Sequence, residues 1–296
     1  MLLIQAATTL LLQLFVAANN PAKSWRYTTV TGYFAQDDSR TNATGFDFRA
    51  TNFGLLNRTY PDEASYRHRT QWQRFAKQVA KLQHEASRNV DFKVLFLGRH
   101  GEGYHNAAEA YFGSPAWNCF YSIVNGNDTV TWADAELTSN GKTQATLNHD
   151  FWADEIDHQK IPSPQSFYTS PLTRCLQTAG ITFSGLNLRH PFVPTVKEFF
   201  REGISGHTCD RRRSRTYIRD KSPTYESEKG FAENDPLFQP LHAETRVDQN
   251  IRSKNVLDDV FQHDRSTYIS ITSHSGEIAS LLEGTLSPRV AVFTRY

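Results

Sequence analysis

Two histidines, two arginines and a glutamate in this chain stand where strands give way to loops. Arg99-His100-Gly101-Glu102 follows the apolar run Val94 to Leu97, and Ser273-His274-Ser275-Gly276 follows Tyr268 to Thr272. Arg174 lies just past Ser170-Pro171, and Glu202 closes the stretch Lys197 to Glu202. Two guanidiniums brought to one spot favour an oxyanion, because their forked N–H groups match phosphate oxygens in pairs. A neutral imidazole is a competent nucleophile towards phosphorus, and a second imidazole, when protonated, adds charge where equatorial oxygens need it. A carboxylic acid beside them protonates a leaving alkoxide and then, as carboxylate, activates water. Gly101 and Gly103 allow the backbone to approach a ligand closely. No Walker loop is present, which argues against nucleotide-driven transfer.

These residues need a scaffold that brings strand ends together. Trp72, Phe75, Ala76, Val79 and Leu82 repeat at helical spacing within residues 64–88. The unbroken apolar run Val94 to Leu97 suits a central strand covered on both faces. Further strands are predicted at Phe167–Thr169, Val193–Val196, Tyr268–Thr272 and Val290–Phe293. Helices are predicted from Asn106, from an N-cap at Thr138 through Phe151, after Ser170-Pro171 with the proline in the first turn, near 246–262 and over Ile278–Leu282. Residues 19–63 read as an ordered but irregular N-terminal arm, and the polar stretch 203–250 as an inserted cap with little regular structure. Such alternation predicts one α/β domain over residues 19–296, a three-layer α/β/α sandwich with a mainly parallel sheet. In such sheets ligands bind beyond the carboxyl ends of the strands, where the five residues fall.

Ordered blocks then resemble a known family. Leu97 to Asn106, with Arg99-His100-Gly101, resembles the signature of the histidine phosphatase superfamily in its phosphoglycerate-mutase-like version. Leu137-Thr138 with Gly141 and Gln144-Ala145, Ser170 to Ala179, Phe200-Arg201-Glu202-Gly203 and Ser273-His274-Ser275-Gly276 are similar to its later blocks, in order. The stretch Gly206-His207-Thr208-Cys209-Asp210 with Arg212 resembles phosphomutase-like proteins, many of which act as phosphatases. The resemblance, over roughly residues 92–294, implies that His100 is the nucleophile that becomes phosphohistidine and Glu202 the proton donor. It also implies that Arg99, Arg174 and His274 bind phosphoryl oxygens and that Asn106 helps to hold phosphate. Gly101, Glu102 and His207 are further candidates for the phosphate and substrate side. His105, His207 and Asp210 line the mouth or satisfy backbone groups of the cap. Ser275 stands where the acid-phosphatase branch has Asp, which points to Glu202 as the acid. The connection Glu283 to Arg289 is shorter than the family's usual one. A phosphoglycerate-type mutase and a non-catalytic phospho-ligand binder are the alternatives to a phosphomonoesterase. No metal or cofactor is implied, and the expected partner is a small phosphorylated molecule; oligomeric state is left open.

Composition bounds the rest. With 32 Lys and Arg against 31 Asp and Glu, the formal net charge of +1 argues against a nucleic-acid binder that works by bulk basicity. No internal apolar run is long and clean enough to span a membrane. Leu2 to Ala18 is mostly apolar and ends in small residues, which reads as a secretory signal peptide over 1–18. Sequons at Asn42, Asn57 and Asn127 agree with a secreted glycoprotein; a cytoplasmic location is the alternative. Three cysteines leave at least one unpaired, with Cys119–Cys209 a possible bridge and Cys175 a buried small hydrophobe. The run Arg211 to Arg213 reads as a solvated face.

Overall fold

A computed structural model describes residues 25–38, 40–42, 46–61, 68–284 and 292–294. The predicted leader 1–18 lies outside the described residues. Six strands form one sheet in the order β4-β3-β2-β5-β1-β6, and every pairing is parallel. They are β1 (Val94–Arg99), β2 (Ser166–Thr169), β3 (Thr195–Val196), β4 (Glu226–Ser227), β5 (Tyr268–Ser273) and β6 (Val292–Thr294). The chain steps outward from β2 to β4, then returns to lay β5 between β2 and β1. This return places the ends of β1, β5 and β2 side by side, where the first and last histidine blocks must meet.

Both faces of the sheet are covered, which explains the unbroken apolar run in β1. Phe96 faces a layer built on helices α1 (Gln71–Glu85), α4 (Ser139–Asp154) and α5 (Thr173–Phe183). Leu95 and Leu97 face the opposite layer with Ile269 and Ile271, against α7 (Arg246–His263) and α8 (Ser275–Gly284). The two-residue period of a strand makes this division. Three shorter helices complete the set among the described residues: α2 (Tyr104–Phe112), α3 (Ser114–Cys119) and α6 (Arg215–Lys221). Side-chain caps start several helices. Thr70 and Gln73 form a reciprocal capping box on α1, Thr245 and Asp248 another on α7, and Thr138 accepts from the Gly141 N–H at α4.

The described part of the arm has only short 3-10 turns and packs into the core: Phe34, Phe48, Phe53, Leu55 and Tyr60 are buried with Trp72, Phe96 and Trp152. Several expectations are corrected. The cap carries α6, the start of α7 and strand β4, which extends the sheet beside β3; its polar composition hid a two-residue strand. Helix α5 begins at Thr173, so Pro171 precedes the helix instead of opening it. Helix α8 starts at Ser275, three residues ahead of the expected start. Cys119 is exposed while Cys209 is buried in an apolar cluster with Trp117 and Trp132, and both are free thiols, so the bridge is not formed. Arg212 is buried, not solvated: its Nε–H donates to Glu198 Oε1 and Oε2 at 3.0 and 2.8 Å, and its guanidinium lies over Phe231.

Phe53 is fully buried at the centre of the aromatic layer, 5.0 Å from Trp152 and 5.9 Å from Phe96 between ring centroids. Truncating a phenylalanine in such a place costs roughly 3–5 kcal/mol. Phe53→Ala should lower the urea midpoint accordingly; a change under about 1 kcal/mol would show that the arm is not part of the folded unit.

Candidate active site

Backbone ladders continue past the strands and hold the site loops. The His100 N–H donates to the Ser273 carbonyl at 3.0 Å, the Ser170 N–H to Thr272 at 3.0 Å and the Lys197 N–H to Thr169 at 3.0 Å. In β1 and β5, Arg99 stands opposite Ser273. The Ser273 hydroxyl donates to the Phe200 carbonyl at 2.7 Å, which ties the segment before Glu202 to the same edge.

The loop after β1 is held from several sides. The Gly101 N–H donates to Thr178 Oγ1 at 3.0 Å and the Glu102 N–H to Gln144 Oε1 at 2.8 Å. A Cβ on Gly101 would overlap the Gly141 carbonyl, and one on Gly141 would overlap the Glu102 carbonyl. Two glycines therefore let the first turn of α4 lie directly on this loop, and no larger side chain leaves room for that contact. Two further candidates for the phosphate side also have local partners. The Glu102 carboxylate accepts from the Thr138 hydroxyl at 2.6 Å, and Asn106 Oδ1 accepts from the Gly103 N–H at 3.0 Å, capping α2.

His100 is buried, with Nδ1 2.6 Å from the Gly101 carbonyl. A carbonyl can only accept, so Nδ1 carries the proton and Nε2 keeps its lone pair. Its ring lies 5.1 Å from that of His274 and 5.4 Å from that of His105, between centroids. Burial first, then the Arg174 guanidinium, drive its basicity well below the usual histidine range; Arg99 adds to this, and the Gly101 hydrogen bond opposes it. His274 and His105 are depressed in the same way, by burial and then by Arg174. Nε2 of His274 lies 2.8 Å from Ser170 Oγ.

Arg174 is buried on the first turn of α5. Its Nη1 donates to the Cys209 carbonyl at 2.7 Å, its Nη2 lies 3.5 Å from Asp210 Oδ1, and its buried Nε has no partner. A buried guanidinium with an open donor among neutral imidazoles is a receptor for an anion. Asp134 sets the helix that carries it. Its carboxylate accepts from the Thr173 N–H at 2.9 Å and from the Thr173 hydroxyl at 2.7 Å. Asp134 itself sits at φ +44°, a left-handed conformation unusual for a residue with a side chain. Nothing in the sequence marked it, because it caps a helix 39 positions further on.

Glu202 reaches the same edge from the β3 side. Its Oε1 accepts from the Gly203 N–H at 2.9 Å and its Oε2 from the Gly276 N–H at 3.2 Å. Burial, and then the charge of Asp210, push its carboxyl above the usual range, although those two N–H groups and Arg174 oppose the shift. The group is thereby biased towards the protonated, acid form. A Cβ on Gly276 would overlap the Glu202 carboxylate, which explains glycine in Ser273-His274-Ser275-Gly276.

His207 stands at the rim, its ring 6.3 Å from Trp117. His207, Cys209 and Asp210 place their ligand atoms within 4.8 Å of one another. Asp210 is already engaged by Arg174 and by the Ser205 hydroxyl at 2.5 Å, and the guanidinium beside it disfavours a dication there. Arg99, His100, Gly101, Arg174, Glu202 and His274 thus come together, with His105 as a third buried imidazole. Below them, Arg201 makes a two-pronged contact with Asp235 at 2.8 Å for each prong, so this arginine is structural.

Gly276→Ala should displace the Glu202 carboxylate; with Glu202 as the acid expected from the sequence, kcat on an alkyl phosphate should fall by about tenfold to a hundredfold, the order of cost of a small misplacement of such a group. Steady-state assays check this; wild-type turnover by the folded variant would show that the Gly276–Glu202 contact has no role in turnover.

Known proteins resemble this chain along most of its length. The sequence profile of the histidine phosphatase superfamily (branch 1) matches residues 95–295, more than half of the chain. The chain is 47% identical over 261 residues to a probable phosphoglycerate mutase of Arthroderma benhamiae, covering 86% of this chain and 78% of that one. It is 34% identical over 259 residues to phosphomutase-like protein 3 of Candida albicans, with 87% and 74% of the two chains covered. Against the probable phosphoglycerate mutase PMU1 of Saccharomyces cerevisiae, identity is 30% over 236 residues, with coverage of 72% and 80%. The profile match over residues 95–295 and the relatives of 30% identity or more show that the chain belongs to the histidine phosphatase superfamily.

Proposed function

We propose that this protein is a phosphomonoesterase that works through a phosphohistidine at His100. The observation that carries the reading is a neutral His100, its Nδ1–H held by the Gly101 carbonyl, beside the open donor of Arg174. The substrate phosphoryl group binds among Arg99, Arg174 and His274, whose donors offset charge on the equatorial oxygens. Nε2 of His100 forms a bond to phosphorus as the bond to the ester oxygen breaks, and the Glu202 proton passes to the departing alkoxide. Water then attacks the phosphorus, gives its proton to the Glu202 carboxylate and releases His100 and phosphate.

Two of the relatives are named as probable phosphoglycerate mutases, and a mutase would use the same first step. A mutase must keep water from the phosphohistidine and return the phosphoryl group to a second hydroxyl of its substrate. With 3-phosphoglycerate, the hydrolase reading expects phosphate release to exceed isomerisation, and to continue in the presence of a chelator. Dominant isomerisation would assign the mutase, and binding of phosphate without turnover of any ester would assign a binder.

The pH profile follows from two opposite shifts. Nucleophilic His100 is the neutral form, and its depressed pKa keeps that form present as pH falls through 6.5, losing it only further below. The acid form of Glu202 is lost as pH rises through its own raised pKa. Hydrolysis of an alkyl phosphate, followed from about pH 4 to about pH 8, should therefore persist as pH falls below 6.5 and decline on an alkaline limb set by Glu202. Glu202→Gln should flatten the alkaline limb; an unchanged limb would remove Glu202 as the acid.

A further inference from the structure

Glu202 lies on a segment without a strand ladder: a short 3-10 turn, Glu198–Phe200, followed by irregular backbone. The aim of its side chain must come from elsewhere, and the buried guanidinium of Arg252, on the inner face of α7, supplies the connection. Its Nη1 donates to the carbonyls of Phe199 at 2.6 Å and Arg201 at 3.0 Å, and its Nη2 to the carbonyl of Glu202 at 3.2 Å. Three carbonyls within four residues therefore converge on one planar fork. The same fork reaches the other side of the carboxylate. Nη1 donates to Glu277 Oε2 at 3.2 Å, and Glu277 adjoins Gly276, whose N–H donates to Glu202 Oε2. The remaining contacts go to Glu244: Nε to Oε2 at 3.1 Å and Nη2 to Oε1 at 2.5 Å. Glu244 is bound in turn to the segment after Glu202, where its Oε1 accepts from the Ile204 N–H at 2.8 Å.

The contact of Arg252 with Glu202 is through the backbone carbonyl, and its charge is met by Glu244 at close range. Its effect on the acid is geometric, not electrostatic. Only a planar group with several fixed N–H directions can bind three carbonyls and two carboxylates together; a lysine ammonium offers three donors and no such plane.

We propose that Arg252 is the positioning residue of the acid, holding the turn 199–202 and the start of α8 so that the Glu202 carboxyl faces the leaving oxygen. The inference rests on Glu202 being the proton donor, and its test separates the two claims. An alkoxide leaves phosphorus poorly and needs the acid in the first step, whereas p-nitrophenolate leaves readily and barely needs it there. In the full chain, Glu202→Gln should depress kcat/KM, which reports formation of the phosphohistidine alone, far more on glycerol phosphate than on p-nitrophenyl phosphate. Arg252→Lys and Arg252→Met should show the same split, about tenfold to a hundredfold on the alkyl ester against about threefold or less on the aryl ester. The double variant Glu202→Gln/Arg252→Met should be no slower than Glu202→Gln alone, because a residue that acts through another adds nothing once that other is gone. Equal losses on both esters, additive losses in the double variant, or full activity in Arg252→Lys would each overturn the proposal. No split in Glu202→Gln itself would instead remove the acid assignment on which the proposal depends. If Arg252→Met fails to fold by urea titration, Glu244→Gln loosens the fork from its outer side. It should show the same split at about threefold to tenfold, and its absence in that variant also overturns the proposal.

Discussion

A hydrogen bond of 2.6 Å between His100 Nδ1 and the Gly101 carbonyl decides what the site can do. It fixes the proton on one nitrogen and leaves the lone pair of the other for chemistry. The bond depends on a single peptide group facing the ring, and the loop that bears it is pinned by Thr178, Gln144 and the α4 start at Gly141. The chemistry of the nucleophile is thus carried by backbone placement, which side-chain identity alone does not specify.

Charge imbalance is the second constraint. Three imidazoles and two guanidiniums crowd one sheet edge, and burial makes every added proton there costly. The imidazoles respond by staying neutral, which suits one of them for attack. The guanidiniums cannot lose their protons, so Arg174 leans on the Cys209 carbonyl and on Asp210, and still keeps Nε open. In the proposed reaction a doubly charged phosphoryl group supplies the missing negative charge. Glu202 shows the opposite response to burial and holds its proton more tightly, so one dry environment suits both the proposed nucleophile and the proposed acid.

Sequence made the strand ends legible because each follows an apolar run and carries a charged or imidazole side chain. The blocks at Arg99-His100, Arg174, Glu202 and His274 were readable for that reason, and the parallel sheet followed from element order. Other features depend on partners distant along the chain. Asp134 caps α5, Arg252 grips 199–202 from α7, and Arg212 is buried by Glu198 and Phe231 despite its place in a basic run. Strand β4 was hidden because two polar residues joined to a sheet edge carry no periodicity. The Cys119–Cys209 pairing failed for a related reason: burial of Cys209 against Trp117 is a tertiary fact that cysteine counting does not contain.

The central claim is an adduct, and trapping it is the direct measurement. Mixing the protein with a phosphate ester, quenching in base where phosphohistidine survives, and locating the added phosphate by mass spectrometry should place it on His100. The proton-coupled phosphorus signal of the trapped protein should assign it to Nε2, the nitrogen left open by the Gly101 carbonyl. Turnover with no adduct at any time, or an adduct at Nδ1 or on another residue, would contradict the account.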